Sequence, residues 1–155
     1  MIDSPIRPPD YDYSTHTRSG PIRRIKTYPD KETILERFRL TPEQDCKNKY
    51  ILDYIAKWSI RESNGGYEWK FDDSLFDKLG FGHMTRSIAF ELSCKLGILY
   101  GTKSSMFSDE ILNYARSSAK KGTRIIPIED AAHHIPLDQP VKLVQEILRM
   151  IDKWK

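Results

Sequence analysis

Two adjacent histidines, His133 and His134, stand in the segment Glu129-Asp130-Ala131-Ala132-His133-His134, just after the apolar run Arg124-Ile125-Ile126-Pro127-Ile128. An imidazole on a loop at the end of a strand can take a proton from a serine hydroxyl and return it to a leaving group. The plain alternative is a surface loop whose histidines only bond backbone, and spacing alone favours that alternative. Ser104 and Ser105 lie on a second loop of the same kind, Gly101-Thr102-Lys103-Ser104-Ser105. A serine nucleophile needs an oxyanion hole and an oriented base, and nothing near them marks either, so both read as structural.

The elements that must position these loops follow from periodicity. Leu96-Gly97-Ile98-Leu99-Tyr100 is a short apolar run suited to a buried parallel strand. A helix over 109–120, apolar at Ile111, Leu112 and Ala115, leads to the second strand, where Pro127 argues against a central position unless it lies near the strand end. The final helix, from Val141 to Trp154, reads as amphipathic through Val141, Val144, Ile147, Leu148 and Ile151. Strand, helix, strand, helix at these lengths is a βαβα unit with parallel strands, and ligands of such sheets sit beyond the strands' carboxyl ends. Two strands make no stable open sheet, so the unit is expected to pair with strands the chain does not supply.

The first half differs. Residues 1–30 carry prolines at 5, 8, 9, 21 and 29 and no sustained period, so they read as an extended lead, either a disordered tail or a segment packed on something absent. Asp30 is placed to cap a short helix over 31–38 with Ile34, Leu35 and Phe38 on one face. Thr41-Pro42-Glu43-Gln44 has the form of a capping box. The main helix of this half is expected over 48–62, with Ile51, Leu52, Ile55 and Trp58 inward. Ser63-Asn64-Gly65-Gly66 ends it with turn chemistry, and Tyr67, Trp69 and Phe71 then alternate with charged residues as in a short strand. Further helices are expected over 74–79 and 85–95. Aromatics at these spacings are more often core than the lining of an apolar ligand pocket, and most are taken as core.

Composition sets the class. Among 155 residues, 39% are hydrophobic and 30% charged, and 25 basic against 22 acidic side chains leave a net charge of +3, which points to neither nucleic acid nor a membrane surface. The one basic run, Arg23-Arg24-Ile25-Lys26, lacks interleaved aromatics and reads as a solvated loop or strand edge. Cys46 and Cys94 have no metal-ligand spacing, the N-terminus has no signal-peptide core, and no stretch reaches the roughly 20 apolar residues of a bilayer span. A cytoplasmic setting is the default, with no metal and no cofactor expected.

The histidine loop, Ala132-His133-His134-Ile135-Pro136-Leu137-Asp138-Gln139-Pro140, resembles that of the α/β hydrolases, where Ala-x-His is followed by Leu-Asp and by Gln-Pro opening the last helix. LGILYGTKSS resembles the preceding strand and acid-bearing loop. NGGYEWKFD resembles the return from a cap domain, and RFRLTPEQ and YIAKWSI resemble cap segments of cap-bearing members. The resemblance covers most of residues 28–155 and implies an α/β fold with a cap segment over 1–63, carrying an extended lead, and the C-terminal part of the hydrolase core over 64–155. It implies His133, rather than His134, as the catalytic base of a serine-His-acid triad acting on small, ester-like substrates. Epoxide and haloalkane hydrolysis, through an aspartate nucleophile, share the same fold.

Departures from the family pattern are specific. No Gly-x-Ser-x-Gly occurs, and no Gly-rich oxyanion loop, so the nucleophile is expected outside this chain. Ser104 stands where an aspartate is usual. Some members carry the acid on an earlier strand, which would again fall outside the chain. Asp109 is the nearest downstream candidate acid, though beside Ser108 it reads better as part of a helix N-terminus. The expectation is therefore a fragment of a hydrolase, inactive alone, with the missing N-terminal half or a partner chain at its open sheet edge. The rival reading is a non-catalytic remnant that binds a partner through that edge.

Overall fold

A computed structural model describes residues 1–11, 26–72, 74 and 91–155. These form two compact units. One contains the described residues of 1–11, 44–47 and 91–155, and the other those of 26–43, 48–72 and Ser74. The grouping differs from a division at 63/64: the first residues of the lead belong with the C-terminal elements, and residues 64–72 belong with the first-half helices.

The first unit is built on two parallel strands, β3 (Gly97–Gly101) and β4 (Arg124–Ile128), paired in register from Gly97 with Arg124 to Gly101 with Ile128. All five residues of β3 are buried, which requires cover on both faces and explains its unbroken apolar run. Alternation along the strand sends Leu99 to one face and Ile98 to the other. On the Leu99 face lie Ile128, Ala131, Ile135, Leu143 and Met150. The last two belong to α5 (Pro140–Asp152), which follows the short α4 (Ile135–Asp138). On the Ile98 face lie Ala115 of α3 (Asp109–Ser118) and Ile6. Ser108 caps α3 by accepting from the Ile111 amide, 3.3 Å away, and Asp109 and Glu110 occupy its first turn. Pro127 is the fourth residue of β4 and exposed; among the described residues β4 pairs with β3 alone, so the missing donor costs no ladder bond.

The N-terminal lead does not stand apart from this sheet. Met1 and Asp3 bond to Leu99, as the Leu99 amide donates to the Met1 carbonyl at 3.0 Å and the Asp3 amide to the Leu99 carbonyl at 2.8 Å. Ile2 thus makes a single parallel bridge to Leu99, which lays residues 1–3 along the edge of β3 opposite β4. Ile6 is 5% exposed beneath α3. Residues 12–25 of the lead, including Arg23-Arg24-Ile25, lie outside the described residues, as do 75–79 and 85–90 of the helices expected over 74–79 and 85–95; residues 92–95 are described and are not helical, and Leu92 is exposed rather than inward.

The last helix corrects an expected face. Val141, Val144, Leu148 and Ile151 are all exposed, while Leu143 and Met150 are buried, with Ile147 packed against the same core. The apolar arc of α5 is wider than the sheet can cover, and periodicity alone could not tell which part of it turns inward.

In the second unit, α1 (Lys31–Leu35) is capped by Asp30, whose Oδ1 accepts from the Thr33 amide at 2.7 Å. It is shorter than the 31–38 expected. The helix expected over 48–62 ends at Trp58 as α2 (Lys49–Trp58), and the chain enters a hairpin of β1 (Ile60–Ser63) and β2 (Gly66–Trp69). Asn64 and Gly65 make the turn, with Gly65 at φ 92°, a conformation glycine adopts without steric cost. Trp58 is exposed rather than inward. No helix follows Thr41-Pro42; Gln44, read as a capping-box residue, is used elsewhere. No described helix is long and apolar enough to cross a membrane.

Candidate active site

The site is built where β3 and β4 end, beside the bridged residues 1–3. Gly101 closes β3, Ile128 closes β4, and the chain after each turns into a loop. The two loops are knitted together: the Thr102 amide donates to Ile128 O at 3.1 Å, the Lys103 amide to Ala131 O at 2.9 Å, and the Asp130 amide to Thr102 Oγ1 at 3.1 Å. Asp130 turns the chain at φ 59°, and its carboxylate pairs with Lys103 at 2.7 Å. Gly101 allows this closeness. A Cβ there would lie 2.3 Å from the Ala131 carbonyl oxygen and 2.5 Å from that of Ala132.

His133 sits at the centre of this junction, partly buried. Its Nδ1 lies 2.8 Å from Oδ2 of Asp3, a residue 130 positions earlier in the chain. With Nδ1–H donated to the carboxylate, Nε2 keeps its lone pair, the form a general base requires. The His133 and His134 rings meet in a T-shaped contact, with centroids 4.9 Å apart.

Asp3 is 1% exposed, and its carboxylate is met by three donors. Besides His133, the Gly101 amide donates to Oδ1 at 2.8 Å and the Ser104 hydroxyl to Oδ2 at 2.5 Å. A buried carboxylate without such donors would cost several kcal/mol. The Gly101 bond also explains how the strand ends. Alternate amides of β3 pair with the Met1–Asp3 segment, and at Gly101 the Asp3 side chain takes the place its backbone carbonyl would hold. Asp3 has φ 43°, a left-handed conformation in which the chain leaves the sheet; aspartate is among the residues that tolerate it.

Sequence reasoning singled out His133 on this loop but did not single out Asp3, whose carboxylate meets its ring. Three residues before a proline carry no periodic signal, and the partner that gives Asp3 meaning is remote in sequence. Ser104, at the position where the resemblance expects an acid, is buried, donates to Asp3, and accepts from the Met106 amide at 3.1 Å. Its hydroxyl is committed to a carboxylate rather than to a base. Ser105 is exposed on the same loop. Asp109 stands in the exposed first turn of α3, and the carboxylate against His133 is that of Asp3. Cys46 and Cys94 are not bonded to each other, and no cluster of potential metal ligands occurs among the described residues.

No protein-family model and no curated protein matches the sequence. Solved structures do match its fold. The thioesterase domain from the curacin biosynthetic pathway superposes with a TM-score of 0.67 over 95% of this chain and 56% of its own, at 16% identity. E-2-(acetamidomethylene)succinate hydrolase gives 0.70 over 82% of this chain and 47% of its own, at 12% identity. An esterase of Mycobacterium tuberculosis gives 0.60 over 82% and 43%, at 19% identity. The chain thus spans about half the length of the structures it resembles. Over that span, it has the fold of an α/β hydrolase.

Proposed function

We propose that this chain supplies the base and the acid of a hydrolase that cleaves ester-like bonds in small molecules. The observation that carries the reading is the contact of His133 Nδ1 with the buried carboxylate of Asp3 at 2.8 Å. In the reaction, Nε2 of His133 takes the proton of a nucleophilic hydroxyl as it attacks the carbonyl carbon. It then returns that proton to the departing alkoxide, and in a second half-reaction activates a water against the acyl-enzyme. Asp3 holds the ring in the tautomer this needs and stabilises the imidazolium that forms. The names of the matched structures, an esterase, a thioesterase domain and a hydrolase, support a carbonyl substrate.

The nucleophile and oxyanion hole come from polypeptide beyond these 155 residues, since no Gly-x-Ser-x-Gly lies within them. That polypeptide docks beside Met1–Asp3. The Met1 carbonyl and Asp3 amide bond to β3, so the Ile2 amide and carbonyl face the other side, where no described strand pairs.

The test is to read the transcript and neighbouring genes around the Met1 codon for a Gly-x-Ser-x-Gly elbow, and to assay its product with this chain on p-nitrophenyl acetate. Hydrolysis that His133→Ala and Asp3→Asn each abolish is expected. Absence of any such elbow, or hydrolysis indifferent to both substitutions, refutes the proposal and leaves binding through the open edge as the better reading.

A further inference from the structure

We propose that Gln44 is a positioning residue for His133, an inference that rests on the role given to His133 above. The peptide N–H groups on either side of His133 are both held by one side-chain pair. The Ala132 amide donates to Asp138 Oδ2 at 2.8 Å, and the His134 amide donates to Gln44 Oε1 at 2.8 Å. Gln44 Nε2 in turn donates to the same Asp138 oxygen at 3.0 Å. The amide of Gln44 therefore uses its acceptor and its donor at once, closing a ring of hydrogen bonds around the backbone that carries the imidazole.

Asp138 is local, five residues beyond His133 at the end of α4. Gln44 is not: it reaches the loop from 90 residues earlier. Its segment, 44–47, belongs with the histidine loop although the residues on both sides of it belong to the other unit. The segment is pinned again two residues on, where the Cys46 thiol lies 3.9 Å from the Leu137 carbonyl oxygen. Without Gln44 the His134 amide loses this acceptor, and the peptide after His133 is held less firmly. The 2.8 Å contact with Asp3 depends on that peptide staying fixed. Small displacements of a catalytic group are costly: about 1 Å can lower a rate by roughly a hundredfold.

The test reads His133 itself, by NMR of the full chain with 15N-labelled histidine. The wild type is expected to show a far-downfield Nδ1 proton that Asp3→Asn removes. Gln44→Ala and the near-isosteric Gln44→Met are expected to keep the circular dichroism of the folded chain. They should speed solvent exchange of that proton roughly tenfold, about what loss of one net hydrogen bond does to a local opening. An unchanged proton in folded Gln44→Met overturns the role of Gln44 while leaving the His133–Asp3 reading standing. A wild-type proton that is absent, or indifferent to Asp3→Asn, overturns both.

Discussion

The hydroxyl of Ser104 lies 2.5 Å from the carboxylate of Asp3, across 101 residues of sequence, at the loop position where the family resemblance expects an acid. The carboxylate that meets His133 is that of Asp3, and the Ser104 hydroxyl donates to it. One oxygen of Asp3 therefore faces both Ser104 and His133, and the other faces the end of β3.

Ser104→Ala removes one of three donors from a carboxylate that no water can reach. The expected loss is about 1–3 kcal/mol of unfolding free energy, read from urea denaturation. Ser104→Asp should cost more, because it sets a second carboxylate against a buried one. A Ser104→Ala variant as stable as the wild type would contradict the geometry of the pair.

Gly101→Ala sets a methyl group against two backbone carbonyls that side-chain rotation cannot move. Overpacking of this kind costs about 1–3 kcal/mol or more. The strand end and the histidine loop must part to admit it, so the Nδ1 proton of His133 should also be lost. A stable Gly101→Ala chain with that proton intact would show that the loops are looser than described.

The Lys103–Asp130 pair makes a pH-dependent tie between the same loops. Hydrogen bonding to Lys103 holds the Asp130 carboxyl below its usual range, so its contribution is present above that range and lost as pH falls through the lowered value. Asp130 raises Lys103, whose contribution is present below the usual lysine value and lost as pH rises through the raised one. Lys103→Met should therefore lower the denaturation midpoint slightly at neutral pH, both side chains being exposed. The difference should vanish in strong acid; one that persisted there would assign the effect to packing.

Val141, Val144, Leu148 and Ile151 line one exposed stripe of α5. A stripe of that kind beside a packed sheet is expected to bind a dye such as ANS and to promote association. Val144→Lys with Leu148→Lys should reduce dye binding without lowering thermal stability, since neither side chain is in the core. Dye binding that ignores the substitutions would place the exposed apolar surface elsewhere.

Alone, the chain is expected to hydrolyse p-nitrophenyl esters no faster than its His133→Ala variant, because a base without a nucleophile and an oxyanion hole has nothing to activate. A clear difference between the two would mean that a nucleophile lies within the chain.

The sequence by itself determined what local pattern can carry. The apolar run before Gly101 reads as a buried parallel strand, and Asp109, beside Ser108, as part of a helix N-terminus. The Asn64-Gly65 turn and the strand-end loop bearing His133 are equally legible. Each depends on residues within a few positions of one another. Tertiary structure decided what depends on distant partners. Asp3 gains its three donors only when residues 1–3 pair with Leu99, and a three-residue segment has no periodicity to announce it. Gln44 looked like the third helical residue of a capping box begun by Thr41, yet its amide is claimed by His134 and Asp138. On α5 an apolar arc wider than one face left its inward side open until Leu143 and Met150 met the sheet. In each case the local signal was satisfied by more than one arrangement, and burial against a remote segment selected among them.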